Sequence, residues 1–133
     1  MLNIAVLNAA VLIVAFGAAA FIGGMLRGLL ARWLPLFIGT LLANTLASFV
    51  AGIAIGFSLS VKDPTTANII QPVLAMGCAG ALSTWSTLAS ELTSLVKSKR
   101  WRALGLYLGS TLILGLTCAH FGILCSLAIS HAG

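Results

Sequence analysis

The sequence predicts an all-α membrane protein of one domain, with four transmembrane helices, the third broken at mid-membrane. Three observations carry this expectation. About 60% of the residues are hydrophobic and only 7% are charged, a balance that water-soluble domains do not have. Four apolar stretches of membrane-spanning length follow one another, divided by short polar turns. Within the third stretch Gly77 and Gly80 precede Ser83, Thr84, Ser86 and Thr87. Glycines lower helix propensity and permit a break. Backbone carbonyls freed at membrane depth are tolerated only where protein buries them or where they line a wet cavity or ion site. The same residues also fit an unbroken, glycine-rich helix contact with serines as interhelical glue.

The first span is expected at about 8–30, ending beside Arg27 and Arg32. The second, about 35–60, opens at Pro35, a good first-turn residue. A polar turn holding Lys62 and Asp63 leads to the third, about 68–95, interrupted near 77–80. A basic loop, 97–102, leads to the fourth, about 103–129. No linker, low-complexity tract or tandem repeat divides the chain. The first apolar run lacks a basic leader, so it reads as a retained span and not a cleaved signal. Small residues recur at spacing four: Gly24 and Gly28, Ala43 with Ala47 and Ala51, Gly52 and Gly56, Gly105 and Gly109. That spacing lets helices approach closely, within one subunit or between two.

Lys62 stands apart from the other six of the seven Lys and Arg, which follow spans one and three. The positive-inside rule therefore places both basic loops in the cytoplasm and both termini outside, with one strongly preferred orientation. Basic residues beside spans are not a nucleic-acid footprint. Cys78, Cys118 and Cys125 fall inside spans, an odd number in apolar surroundings, which argues against disulfides and zinc.

Enzymatic chemistry has little to work with. Spans one and two hold no carboxylate, His120 has no evident acidic partner, and His131 is terminal. There is no nucleophile–base pair, metal-ligand spacing or phosphate loop. Glu91, near the cytoplasmic end of span three, fits either a pair with Lys97 or another base, or a vestibule. What remains is a set of neutral hydrogen-bonding groups at membrane depth. Asn44 lies mid-span with Thr40 and Ser48 one turn either side. Ser83, Thr84, Ser86 and Thr87 crowd helix three, and Tyr107 and Thr111 share a face of helix four. Donors without fixed opposite charge suit a small anion, replacing part of its water shell without trapping it.

At this point the chain resembles the small dual-topology fluoride channels of the Fluc/CrcB family. The matching elements are Gly23-Gly24-Met25-Leu26-Arg27, Gly39-Thr40-Leu41-Leu42-Ala43-Asn44, the run from Gly77 to Glu91, and that from Tyr107 to Gly115. The resemblance implies two subunits packed antiparallel around two fluoride pores in the cell membrane. It implies Asn44 as a fluoride donor, Ser83 and Thr84 at the helix break, and Tyr107 and Thr111 on a polar track. Arg27 and Glu91 match vestibule charges. The backbone carbonyls of Gly80 and Ser83 would supply half of a structural sodium site at the dimer interface.

Two departures stand out. Trp85 and Leu88 occupy positions where the family has phenylalanines whose ring edges are thought to touch the ion; Leu88 offers no positive edge. The charge bias is also far from the near balance that oppositely inserted copies of one chain need. The expectation is one half of a heterodimer whose partner, a homologue of opposite bias, supplies the missing phenylalanines. A non-conducting partner subunit is the alternative. A small multidrug transporter, which needs a carboxylate in helix one, fits poorly.

Overall fold

The computed structural model describes residues 2–61 and 63–132; Lys62, expected opposite the other basic residues, lies outside them. Helix α1 is Leu2–Trp33 and α2 is Ile38–Ser60. The third pass is composite: α3, Pro64–Ile70, a π-helical segment, Gln71–Ala79, the single turn α4, Gly80–Leu82, and α5, Trp85–Lys97. Helix α6, Trp101–Ala132, completes the chain. Stretches long and apolar enough to cross a membrane run over Val6–Trp33, Ile38–Ser60, Thr66–Lys97 and Trp101–Ser130. No strand occurs among the described residues.

Helix α2 is central because its inward face is small. Thr40, Ala43, Ala47 and Ala54 recur at helical spacing and are buried, Ala54 completely. Its most extensive contact is with α6, and glycines make that contact possible. A Cβ on Gly52 would strike the Ala119 carbonyl, one on Gly56 the Ser126 hydroxyl, and one on Gly122 the Phe49 carbonyl. On the other side α1 lies against the π-helical segment, where a Cβ on Gly23 would strike the Cys78 carbonyl. Of the glycine pairs at spacing four, Gly52 and Gly56 pack inside the chain. Gly24, Gly28, Gly105 and Gly109 have nothing within 4 Å of a would-be Cβ. The outer surface is apolar, as lipid requires: Val14, Phe21 and Leu116 are each more than two-thirds exposed.

The third pass starts with a capped end. Asp63 accepts from the backbone N–H and the hydroxyl of Thr66 at 3.0 and 2.6 Å, and Pro64 fills the first helical position. Winding then widens at Gln71-Pro72. A proline inside a helix lacks the N–H and crowds the carbonyl four residues back, and a wider turn relieves both. The N–H of Gly80 donates to the carbonyls of Ala75 and Gly77. The helix does break, at the Ser83–Thr84 position that the family resemblance implies and not near 77–80, where the glycines point. Gly77 and Gly80 remain helical, and the break falls at Ser83 and Thr84, both extended (φ −70°, ψ 155° and φ −147°, ψ 107°). Gly77 instead provides close approach, since its Cβ would sit 3.1 Å from the Phe16 carbonyl.

Gly52→Ala should destabilise the chain by about 1–3 kcal/mol, since the added methyl meets backbone. Gly17→Ala, with open space around it, should be neutral or stabilising by up to about 1 kcal/mol. Thermal melting of the detergent-solubilised protein checks both; equal behaviour would contradict the packing.

Candidate functional site

A broken helix leaves backbone N–H groups without partners at the start of its second half. Here two are answered in different ways. The Thr84 hydroxyl caps α5, accepting from the Thr87 N–H at 3.3 Å and donating to the Thr87 hydroxyl at 2.9 Å. The Thr84 N–H itself donates to Oδ1 of Asn44 on α2 at 2.8 Å. That bond fixes the amide's orientation. A backbone N–H requires an oxygen facing it, so the Asn44 NH2 must turn the other way.

It turns beside a groove of about 360 Å3 lined by Asn44, Ser48, Ser83, Trp85, Leu88 and Thr111, with α6 residues Gly115 and Ala119 beyond them. The walls are otherwise apolar. Across the helix break lies a smaller groove of about 240 Å3, lined by Arg27, Gly39, Thr40, Thr84, Ser86 and Thr87. The sequence-selected residues are therefore divided between two cavities. Thr40, expected on the Asn44 face, belongs to the second groove with Ser86, Thr87 and Arg27. Ser48 and Thr111 stay with Asn44.

Glu91 neither pairs with Lys97 nor opens to a vestibule. It is buried, 6% exposed, and accepts from three neutral donors on two other helical passes. The Phe37 N–H and the Thr40 hydroxyl reach Oε1 at 3.2 and 2.9 Å, and the Tyr107 hydroxyl donates to Oε2. Tyr107 is thereby drawn out of the groove into the protein, with the Phe37 ring edge-on to its own at 5.2 Å. Phe37 adopts φ 73°, a conformation that costs a non-glycine residue of order 1–3 kcal/mol and persists only when its surroundings enforce it. Its N–H bond to Glu91 and its ring contact with Tyr107 are such surroundings. Sequence reasoning missed Phe37, because nothing in a residue's identity announces a left-handed turn.

Trp85 is 82% exposed at the groove's rim, whereas Leu88 is 6% exposed and packs with Leu95 and Tyr107. Gly80 and Ser83 border a shallow concavity of about 190 Å3 walled by Ala47, Ala51, Ala75 and Ala79. The Gly80 carbonyl accepts from the Ser83 hydroxyl at 3.2 Å. Carbonyl and hydroxyl oxygens are hard ligands, so Gly80 and Ser83 are the residues here that could hold a hard cation. Among the described residues no cluster of His, Cys, Asp or Glu offers a metal site of another kind.

Four helices of this length and apolarity, enclosing hydrogen-bonding groups, define a polytopic membrane protein. The family described as CrcB-like protein, Camphor Resistance (CrcB), matches residues 12–123, and the chain belongs to that family. It is 38% identical over 105 residues to fluoride-specific ion channel FluC 2 of Corynebacterium diphtheriae, covering 79% of this chain and 91% of that one. Fluoride-specific ion channel FluC 1 of Geobacillus kaustophilus is 33% identical over 116 residues, 84% and 92% of the two chains. Fluoride-specific ion channel FluC of Chlorobium phaeobacteroides is 37% identical over 111 residues, 80% and 86%.

Glu91→Leu should strand three donors, at about 1–3 kcal/mol for each buried group left unpaired. Tyr107→Phe, which removes one donor and leaves the carboxylate two, should cost less. Melting temperatures of the two variants in detergent decide it; a Tyr107→Phe loss as large as that of Glu91→Leu would contradict the three-donor account.

Proposed function

We propose that this chain is a subunit of a fluoride-selective channel through which fluoride leaves the cytoplasm passively, without a nucleotide or coupling ion. One observation carries the reading: the Thr84 N–H claims the oxygen of Asn44, so the amide's NH2 is committed as a donor beside the larger groove. Fluoride is small and strongly hydrated, and a pore must replace its water with donors that hold it without capture. The Asn44 NH2 with the hydroxyls of Ser83 and Thr111 provides such a set among apolar walls. Arg27, beside Thr40, Ser86 and Thr87 in the second groove, attracts the anion toward the mouth. The names of the relatives support the choice of fluoride over other anions.

The working unit is a dimer with an oppositely inserted second chain of the same family, and the bias of the basic loops favours a homologue over a second copy. Gly24, Gly28, Gly105 and Gly109, with open space beside them, suit close approach by that partner. The carbonyls of Gly80 and Ser83 hold half of a structural sodium ion, and the partner holds the other half. The basic loops lie in the cytoplasm and both termini outside.

Leu88 favours a second reading. It lines the groove with a buried aliphatic side chain that has no polar edge for an anion. In that reading the subunit scaffolds a conducting homologue and its own groove is silent.

Asn44→Ala in the assembled dimer should cut fluoride efflux from liposomes at least about tenfold while assembly persists; an unchanged rate with intact assembly favours the scaffold. Fluoride-electrode recordings of this chain alone should give little efflux, and full activity without a partner would remove the heterodimer.

A further inference from the structure

The grooves and the buried carboxylate leave one concentration of chemistry unused, the turn from α5 into α6. Lys97, Lys99, Arg100 and Arg102 lie in it, all exposed, and Trp101 is 60% exposed among them. Residues 99–103 line an open concavity of about 550 Å3. The chain has two side-chain carboxylates, and neither neutralises this turn. Glu91 is buried and engaged by three donors. Asp63 caps α3, at the far end of α2 from the Phe37–Tyr107 contact that marks this side of the protein.

The turn is also a fixed shape. The N–H groups of Lys99 and Arg100 close the end of α5 on the carbonyls of Val96 and Leu95, both at 3.0 Å, and the Arg100 carbonyl accepts from Leu104 at 3.0 Å to start α6. Lys99 sits at φ 54°, the left-handed position that closes a helix in this way and that glycine normally occupies. A lysine there departs from the local preference while adding a cation to the cluster. The place of the turn, at the junction of two spans, puts it at headgroup level, where tryptophan is favoured. Trp33, 76% exposed, ends α1 on the same side.

We propose that this turn binds the phosphate headgroup of an anionic phospholipid in the adjoining leaflet. Lys99, Arg100 and Arg102 bear on the headgroup and Trp101 rests at the headgroup–acyl boundary. Juxtamembrane clusters of this size attract anionic lipid by charge, and guanidinium groups add directed hydrogen bonds to phosphate oxygens. The proposal is independent of what the grooves conduct.

The test uses the full chain with Trp33→Phe and Trp85→Phe, so that Trp101 alone fluoresces, in zwitterionic vesicles doped with acyl-brominated phosphatidylglycerol or phosphatidylcholine at one mole fraction. Brominated phosphatidylglycerol should quench Trp101 at least about threefold more strongly, a preference weakened by salt. Lys99→Ala with Arg100→Ala and Arg102→Ala should abolish the preference. Lys99→Gly should reduce it without lowering the melting temperature, which separates a headgroup contact from a turn requirement. Equal quenching by the two lipids overturns the proposal, as does a preference that survives the triple substitution. A preference removed by millimolar inorganic phosphate also overturns it, since the site would then take free phosphate. If the variants fail to fold, native mass spectrometry of the unaltered chain with the two lipids decides: equal retention overturns it.

Discussion

A backbone N–H set free inside a membrane has no water to turn to, and that constraint organises the centre of this protein. The third pass stops being helical at Ser83 and Thr84, and Asn44 supplies the missing acceptor. In hydrocarbon such a group would cost several kcal/mol unpaired, at about the magnitude that excludes irregular backbone from lipid-facing positions. The repair has two products. It pins α2 to the break, and it leaves an amide NH2 whose direction is settled before any ion arrives. Structural need and candidate function are thus two ends of one side chain.

The Glu91 cluster does a related task nearer the helix ends. Its three donors come from the turn before α2, from α2 and from α6, so one carboxylate gathers the second, third and fourth passes. Phe37 is held left-handed at that junction, and Tyr107 is buried there. Asn44 lines one groove and Thr84 the other, so the bond between them links the two.

Much of this was legible from residues alone, for definable reasons. Four spans follow from apolar runs of sufficient length, and a break in the third from glycines and hydroxyls in one tract. The family resemblance puts that break at Ser83 and Thr84, where it falls, whereas the glycines alone point to 77–80; Gly77 and Gly80 are helical, and Gly77 is needed for close approach to α1. Asn44 stood out because a buried amide must have partners, but which atom meets which depends on a residue forty positions away. Thr40, Asn44 and Ser48 share a helical face by spacing, yet the break divides them between cavities. For Glu91 the sequence leaves open a pair with Lys97 or another base, or a vestibule; three neutral donors brought close by the fold engage it instead. Phe37 had no signal at all.

The π-helical winding of Gln71–Ala79 bears on what this gene can tolerate. Each residue of an α-helix advances its face by about 100°, so the compass bearing of Thr84 is set by how many residues, and how loosely coiled, separate it from Pro72. Away from close-packed positions such as Gly77 and Leu82, side chains in that interval can vary while the bearing holds. A change of even one codon in its length would swing the break away from α2, so the segment is better described as a spacer of fixed phase than as a defect in a helix.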